Sequence, residues 1–307
     1  MNDSLILHHY ESSPYAEKIR LMFGLTNTHW YSLQSPVQPP RPSLDPLTGG
    51  YRRIPVLQLG ADIFCDTDLI SRELALATDY PALDPANIDS AATKLMHKAE
   101  NETFFAAIGS IQPLRLLGTM FQLFGPVGAY RFVKDRASLM NGNAARPTKG
   151  AEAKAQLDSL LNSLEKKLVQ NPWVGGDTAS VADFSIYHPL WLHVMCNRRP
   201  LKAGPKVEDW YQRVSDIEHG QREEITQEKA FAIARDSQPR DLPTNVENVP
   251  LAIGTLVDVG PLDYGVVAVT GNLAAVTEDR IILARDTAEF GLLHVHFPRI
   301  GYSLIAK

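Results

Sequence analysis

Apolar and polar positions follow three different rhythms along the chain. Up to about residue 80, short apolar runs alternate with stretches of helical spacing. Leu5-Ile6-Leu7-His8 is apolar without alternation, as in a strand buried on both faces. Tyr15, Ile19, Met22 and Phe23 recur at helical spacing, which predicts a helix from about Tyr15. Trp30-Tyr31-Ser32-Leu33 reads as a second strand, followed by a stiff loop with Pro36, Pro39, Pro40, Pro42 and Pro46. Ile54-Pro55-Val56-Leu57-Gln58-Leu59 and Asp62-Ile63-Phe64-Cys65 flank Gly60-Ala61 and predict a hairpin. A helix carrying Leu69, Ile70 and Leu74 inward starts near Asp66-Thr67. This β-α-β then β-β-α order implies a parallel pair with a crossover, then an antiparallel pair backed by a helix.

From about residue 90 to 236 the pattern is helix after helix. Its clearest start signal is Ser180-Val181-Ala182-Asp183, after a loop at Gly175-Gly176-Asp177-Thr178. Ser180 can cap the N–H at Asp183 while Asp183 reaches back to Ser180, a capping box with Asp in the usual Glu or Gln place. Phe184, Ile186, Tyr187 and Trp191 make the helix behind it an aromatic-rich core helix. Gly204-Pro205-Lys206 is a loop before a helix with Trp210 and Tyr211. The polar, proline-bearing segment from Ser237 to Asn245 reads as a linker. Beyond it, 255–259, 265–269, 280–284 and 292–297 predict four or five short strands, as a small barrel or sheet. Three domains are therefore expected, at 1–82, 90–236 and 250–307.

Composition narrows the class without changing this outline. A chain of 307 residues suits two or three domains, and 44 % hydrophobic with 21 % charged residues is ordinary for a globular protein. A net charge of −5 argues against a nucleic-acid partner. No apolar run approaches the roughly 20 residues of a membrane span. Met1-Asn2-Asp3-Ser4 opens no evident signal peptide. Two cysteines, Cys65 and Cys196, cannot make a disulfide framework, and a reducing cytoplasm fits them best.

Three places can carry chemistry. Ser13 sits between a strand and a helix with Pro14 behind it, where an N-cap belongs. The same position faces free N–H groups and the positive end of the helix dipole, which would push a ligand thiol towards thiolate. Ser12 adjoins it, but only Ser13 directly precedes Pro14. A cis bond at Ile54-Pro55 would bare the Ile54 backbone for pairing with an extended peptide, although a proline at a strand start is also an ordinary edge residue. Asp66-Thr67 can cap the next helix, or it can hold an ammonium and a carboxylate at an amino-acid end. His193 with Cys196, and His294 with His296, have the spacing of half a metal site; with no second half in view, packed or solvent-facing histidines are expected and no metal.

In order and spacing these segments resemble the glutathione transferase superfamily. Ser13-Pro14-Tyr15-Ala16-Glu17-Lys18-Ile19-Arg20 is similar to its first-helix motif, and Arg53-Ile54-Pro55-Val56-Leu57 to its Lys-Val-Pro-x-Leu segment. Asp66-Thr67-Asp68-Leu69-Ile70 stands in the place of Glu-Ser-x-x-Ile, and Ser180-Val181-Ala182-Asp183 matches the capping box of the helical second domain. The resemblance covers residues 1 to about 230. It implies a thioredoxin-like N-terminal domain and an all-helical second domain; the β-rich C-terminus is outside the family pattern. By similarity, Ser13 would hydrogen-bond the sulfur of glutathione, the Ile54 backbone before Pro55 would pair with its cysteinyl part, and Asp66 and Thr67 would hold the γ-glutamyl end. Arg53, with Arg52 beside it, lies where the family places a cation for the glycine carboxylate; Gln38 is another candidate. Tyr10 or Tyr15 is an alternative phenol donor. An electrophile pocket is expected between the domains, with Tyr15, Phe104, Phe105, Tyr130 and Phe132 as candidates.

The implied activity is addition of glutathione thiolate to a small hydrophobic electrophile, as in detoxification, or reduction of organic peroxides, in a cytoplasmic homodimer. The local pattern is omega-like, but that class has Cys where this chain has Ser13, and a serine cannot form a mixed disulfide with glutathione. Asp-Thr in place of Glu-Ser also loosens the expected ammonium contact. A dithiol reductant is disfavoured, since no Cys-x-x-Cys opens the first helix. The reading from another class is a binding or assembly module that keeps the fold without turnover, favoured by the extra strand zone after residue 250.

Overall fold

Leu5–His9 forms β1, and all five of its residues are buried. Leu5 and Leu7 join one core and Ile6 another, so both faces are covered and no alternation shows in the sequence. The computed structural model describes residues 4–139, 148–244, 247 and 249–307. Met1, Asn2 and Asp3 of the N-terminal reading, residues 140–147 of the helical zone and Asn245 of the linker lie outside the described residues.

After β1 come α1 (Pro14–Leu25) and β2 (His29–Gln34), which lies parallel to β1. A short helix, α2 (Asp45–Thr48), follows the proline-rich loop. Next, β3 (Val56–Leu59) pairs antiparallel with β1, and β4 (Asp62–Cys65) antiparallel with β3. The chain closes this unit with α3 (Thr67–Ala77). The result is the thioredoxin-like arrangement that the sequence predicts.

The helical domain runs from α4 (Ser90–His97) through a π-helical turn, Lys98–Thr103, into α5 (Phe104–Gly109). α6 (Pro113–Leu139) is broken where Gly125 takes φ 67° before Pro126, because proline cannot continue the helical hydrogen bonding. α7 (Gly150–Leu168), α8 (Val181–Asn197) and α9 (Pro205–Ser215) complete it. At its centre the fully buried Asp183 accepts from the N–H of Val174 at 2.8 Å, the N–H and hydroxyl of Ser180 at 2.9 and 3.0 Å, and the Trp210 indole at 2.8 Å. Burial pushes its carboxyl pKa up, and these four donors partly offset that. One continuous core joins Ile19, Met22 and Phe23 of α1 to Phe184, Tyr187 and Leu190 of α8.

Within the helical zone the structure corrects one expectation. Gln221–Glu224 is a strand, β5, parallel to β2, and it returns the chain to the first sheet before α10 (Gln227–Arg235). Its residues, Gln-Arg-Glu-Glu, carry no apolar pattern, as suits an exposed sheet edge protected by charge.

The C-terminal strands are β6 (Leu256–Pro261), β7 (Val269–Val276), β8 (Arg280–Thr287), β9 (Gly291–Pro298) and β10 (Tyr302–Ala306). They form a sheet, and that sheet continues the first one: β9 lies parallel to β4, with Asp62 opposite His294 and Phe64 opposite His296. All ten strands are hydrogen-bonded in the order β10-β6-β7-β8-β9-β4-β3-β1-β2-β5. Val257, Leu273, Ile281, Val295 and Phe297 share a core with Leu44, Leu47, Tyr51, Val56 and Ile63 of the first unit. Gly265–Ala268, expected as part of a strand, instead belongs to the β6–β7 connection; Val266 and Val267 are exposed there, so their β propensity finds no buried face. No single helix among the described residues is long and apolar enough to cross a membrane.

Candidate functional site

Strand register alone gathers the three predicted places. His8 pairs with Val56, and Val56 with Cys65. Hence the turn after β1, the turn before β3 and the turn after β4 emerge from the same edge. Ser13, Ile54-Pro55 and Asp66-Thr67 stand on those turns, beside the N-termini of α1 and α3.

Ser13 caps α1: its Oγ accepts from the N–H of Ala16 at 3.2 Å. This uses an oxygen lone pair and leaves the hydroxyl proton available to donate. The Ile54-Pro55 peptide is cis. Ile54 is largely buried, and its N–H and C=O enter no turn, cap or ladder hydrogen bond among the described residues. Asp66 caps α3 by accepting from the N–H of Asp68 at 3.2 Å, and it does so at φ 78°, a conformation that side chains resist. Its Oδ2 takes Nη1 of Arg53 at 3.2 Å and the hydroxyl of Tyr302 at 2.8 Å. Tyr302 in turn lies 2.6 Å from the hydroxyl of Tyr51, so a buried relay Tyr51, Tyr302, Asp66 fixes the carboxylate. Burial holds both phenols well above their usual range, so both stay protonated.

The two arginines are committed differently. Arg52 forks onto Asp135 of α6, 2.6 Å to each oxygen. Arg53 donates its Nε and Nη2 to the carbonyl of Tyr264, at 2.9 and 2.6 Å, and pairs through Nη2 with Asp263. Tyr264 and Asp263 both belong to the β6–β7 connection. Gln38 is half-buried in the proline-rich loop.

Against the hydroxyl of Thr67 stands a lysine the sequence reading did not select. Lys18 of α1 is buried, 3.4 Å from Thr67 Oγ1 and 2.8 Å from Glu100 Oε1 of the π-helical turn. Burial alone would raise the Glu100 carboxyl, but Lys18 and His188, whose Nε2 is 3.7 Å away, outweigh it and lower the pKa. Only the fold reveals this group, because its members lie on α1, the turn after α4 and α8.

Of the pocket candidates, Tyr15 packs on Phe104 at 5.1 Å between ring centroids and on His188 at 4.7 Å. Phe104 meets Phe105 at 5.4 Å, and Phe105 meets Tyr264 at 6.4 Å. Burial, reinforced by Glu100, raises the Tyr15 phenol far above its usual range, so it can donate a hydrogen bond but carries no charge. Tyr10 accepts from Arg136 at 3.2 Å. Tyr130 is 70 % exposed on α6 and makes no ring contact with this stack among the described residues, and Phe132 stacks instead on Phe124 at 4.8 Å.

The two histidine pairs separate. His193 Nδ1 lies 2.8 Å from the carbonyl of Ala107, a packing role, and Cys196 is buried. His294 and His296 acquire a third group, Asp62 of β4, with the potential ligand atoms within 4.8 Å of one another. Asp62 is already engaged by His296 Nε2 at 2.8 Å and by the N–H of Arg240 at 2.8 Å. The guanidinium of Arg240 is 3.6 Å from it, and Arg280 is held nearby on Glu73. Two guanidinium groups so close oppose a dication. The cluster reads as a clamp of hydrogen bonds and ion pairs between the first unit and the C-terminal strands.

This geometry can be set beside known proteins. The glutathione S-transferase N-terminal domain model matches residues 7–81, and the glutathione S-transferase C-terminal domain model matches residues 128–218. A solved GST-like protein from Pseudomonas syringae is 31 % identical, with a TM-score of 0.76, over 99 % of this chain and 100 % of that one. The chain belongs to the glutathione S-transferase superfamily. Because the glutathione S-transferase likeness to the P. syringae protein spans the full length, the C-terminal strands are shared with it. FzlA from C. crescentus is 18 % identical (TM-score 0.44; 69 % of this chain, 87 % of that one). A Tau class glutathione S-transferase from mango, Mangifera indica, is 16 % identical (TM-score 0.46; 76 % and 98 %). None of the curated proteins matches the sequence.

Proposed function

We propose that this glutathione S-transferase relative binds glutathione at the shared sheet edge and adds its thiolate to a small hydrophobic electrophile. The observation that carries the reading is Ser13: a helix N-cap whose hydroxyl keeps its proton available to donate, on the same edge as the Ile54 backbone, unpaired among the described residues, and the anchored Asp66-Thr67 pair. A sulfur placed there meets a hydroxyl donor and the positive end of α1, both of which favour thiolate over thiol. The Ile54 N–H and C=O pair with the cysteinyl backbone, Asp66 holds the ammonium and Thr67 the carboxylate of the γ-glutamyl end. The ring stack of Tyr15, Phe104 and Phe105 forms one wall for the electrophile.

The chain acts in the cytoplasm on this reading, where the buried free thiols of Cys65 and Cys196 stay reduced. It works as a homodimer through α6, which exposes Leu114, Leu117 and Phe121 before its break and Val127, Tyr130 and Val133 after it.

Ser13→Ala tests the chemistry, and Ser13→Asn keeps a good helix cap while lacking the hydroxyl. Both lose on the order of 10²-fold in kcat/KM across a panel of electrophiles, while glutathione at millimolar concentration still raises the melting temperature. Glutathione binding without turnover in the wild type would instead favour a non-catalytic binding module. No melting shift in any of the three proteins would remove the glutathione reading.

A further inference from the structure

The first residue of α3 has its side chain oriented from the helical domain. Thr67 is 8 % exposed, and Lys18 Nζ of α1 stands 3.4 Å from its Oγ1. An ammonium can only donate, so the Thr67 oxygen accepts. The hydroxyl proton therefore turns away from Lys18, and it meets no acceptor among the described residues. Lys18 is itself 3 % exposed and is fixed at 2.8 Å by Glu100 Oε1. Glu100 comes from the π-helical turn of the helical domain, an irregularity that recurs in helices at functional sites. On its other side, His188 Nε2 of α8 is 3.7 Å from the same oxygen. A buried line thus runs from α8 through Glu100 and Lys18 to the hydroxyl at the N-terminus of α3.

A strut between the domains needs only the Lys18–Glu100 pair; the contact with Thr67 goes further. The carboxylates on either side of Thr67 have cations of their own, Asp66 on Arg53 at 3.2 Å and Asp68 on Arg72 at 3.1 Å. Lys18 is not needed to balance them. What it does is take the Thr67 lone pair, which leaves the hydroxyl able to act only as a donor towards anything that arrives there. An arriving carboxylate meets that donor already oriented, beside the positive end of α3, so little ordering is left to be done on binding. An ammonium gains nothing from it. Resting on the glutathione reading above, we propose that Lys18, anchored by Glu100, is a positioning residue: it does not touch the ligand, but by donating to Thr67 it points the Thr67 hydroxyl at the α-carboxylate of a γ-glutamyl thiol and makes that carboxylate a condition of tight binding.

The test measures three peptides by calorimetry: glutathione, glutaryl-cysteinylglycine, which lacks the α-amino group, and γ-aminobutyryl-cysteinylglycine, which lacks the α-carboxylate. The proteins are wild type, Lys18→Met, and Lys18→Met combined with Glu100→Gln. The double variant leaves no unpaired carboxylate behind, so it carries the test if the single variant folds poorly. Both variants are expected to bind glutathione and the glutaryl peptide about tenfold more weakly than wild type does. The γ-aminobutyryl peptide is expected to bind all three proteins within about twofold. An equal loss for all three peptides would make Lys18 a strut alone and overturn the assignment, and so would no loss for any of them. Wild type that binds the γ-aminobutyryl peptide as tightly as glutathione overturns it too, while leaving glutathione binding intact. If none of the peptides binds wild type, the glutathione reading fails, and this assignment fails with it.

Discussion

His8 shows at the scale of one residue how burial sets a chemical property. It is fully buried on β1, with Nε2 2.9 Å from Gln58 Oε1, and burial lowers its pKa from 6.5 to about 4. The unfolded chain therefore takes up the proton between about pH 6.5 and 4 while the folded chain does not. Stability from this group is complete above the unfolded value and is lost as pH falls towards 4, by roughly 3 kcal/mol in all. His8→Gln removes that titration. Thermal melts from pH 7 to pH 4 should show a shallower fall for the variant than for wild type, and parallel curves would refute the assignment. Residues of this kind divide by how their meaning is encoded. Ser13 and Asp66 were legible because a cap is a local signal, set by the next few residues. Lys18, Glu100, Tyr302 and Asp263 were not, because each acquires its role from a partner tens to hundreds of positions away. His294 and His296 were half legible: their shared strand face is in the sequence, whereas Asp62 opposite them is in the fold.

Elements were readable where burial imposes a period. The hairpin of β3 and β4 and the capped start of α8 are local patterns, and they stand close to where the sequence puts them. β5 escaped because an edge strand of Gln-Arg-Glu-Glu buries nothing that leaves a period, and residues 265–268 misled because valines in a connection look like a strand. α6 poses the converse case, a helix with more apolar surface than its own fold uses. Leu114, Phe121, Val127 and Tyr130 are between 46 and 84 % exposed, a larger patch than a lone helix in water would carry without a partner. Light scattering on eluting protein at tens of micromolar should give twice the mass of the chain for wild type. Phe121→Glu combined with Tyr130→Glu should give a single chain with an unchanged far-ultraviolet spectrum, since neither side chain is buried within the protomer. A monomeric wild type would refute the dimer and leave α6 to some other use.

At the scale of the molecule, the C-terminal strands are part of the first unit's architecture. β9 covers the edge of β4, which would otherwise offer unpaired N–H and C=O groups to other chains. On the sheet face behind it, Leu44, Leu47, Tyr51, Val56 and Ile63 are almost completely buried, in a core completed by residues from Val257 to Tyr302. Asp62, His296, Arg240, Glu73 and Arg280 lock the opposite face. The sequence reads residues 250–307 as strands because strand patterning is local, but their pairing with β4 spans more than two hundred residues and leaves no local trace. Baring the five side chains from Leu44 to Ile63 costs about 8–15 kcal/mol, comparable with the whole net stability of a domain, about 5–15 kcal/mol. A chain ending at Pro243 should therefore fail to fold, recovered as aggregate or without a cooperative melt, although it retains both segments matched by the family models. The full chain should unfold its first and last segments in one transition, seen as simultaneous loss of hydrogen-exchange protection in β4 and β9. A soluble, cooperatively melting 1–243 chain would show instead that the strands are an accessory, and the Tyr302 and Asp263 contacts would then be additions to a site that stands without them.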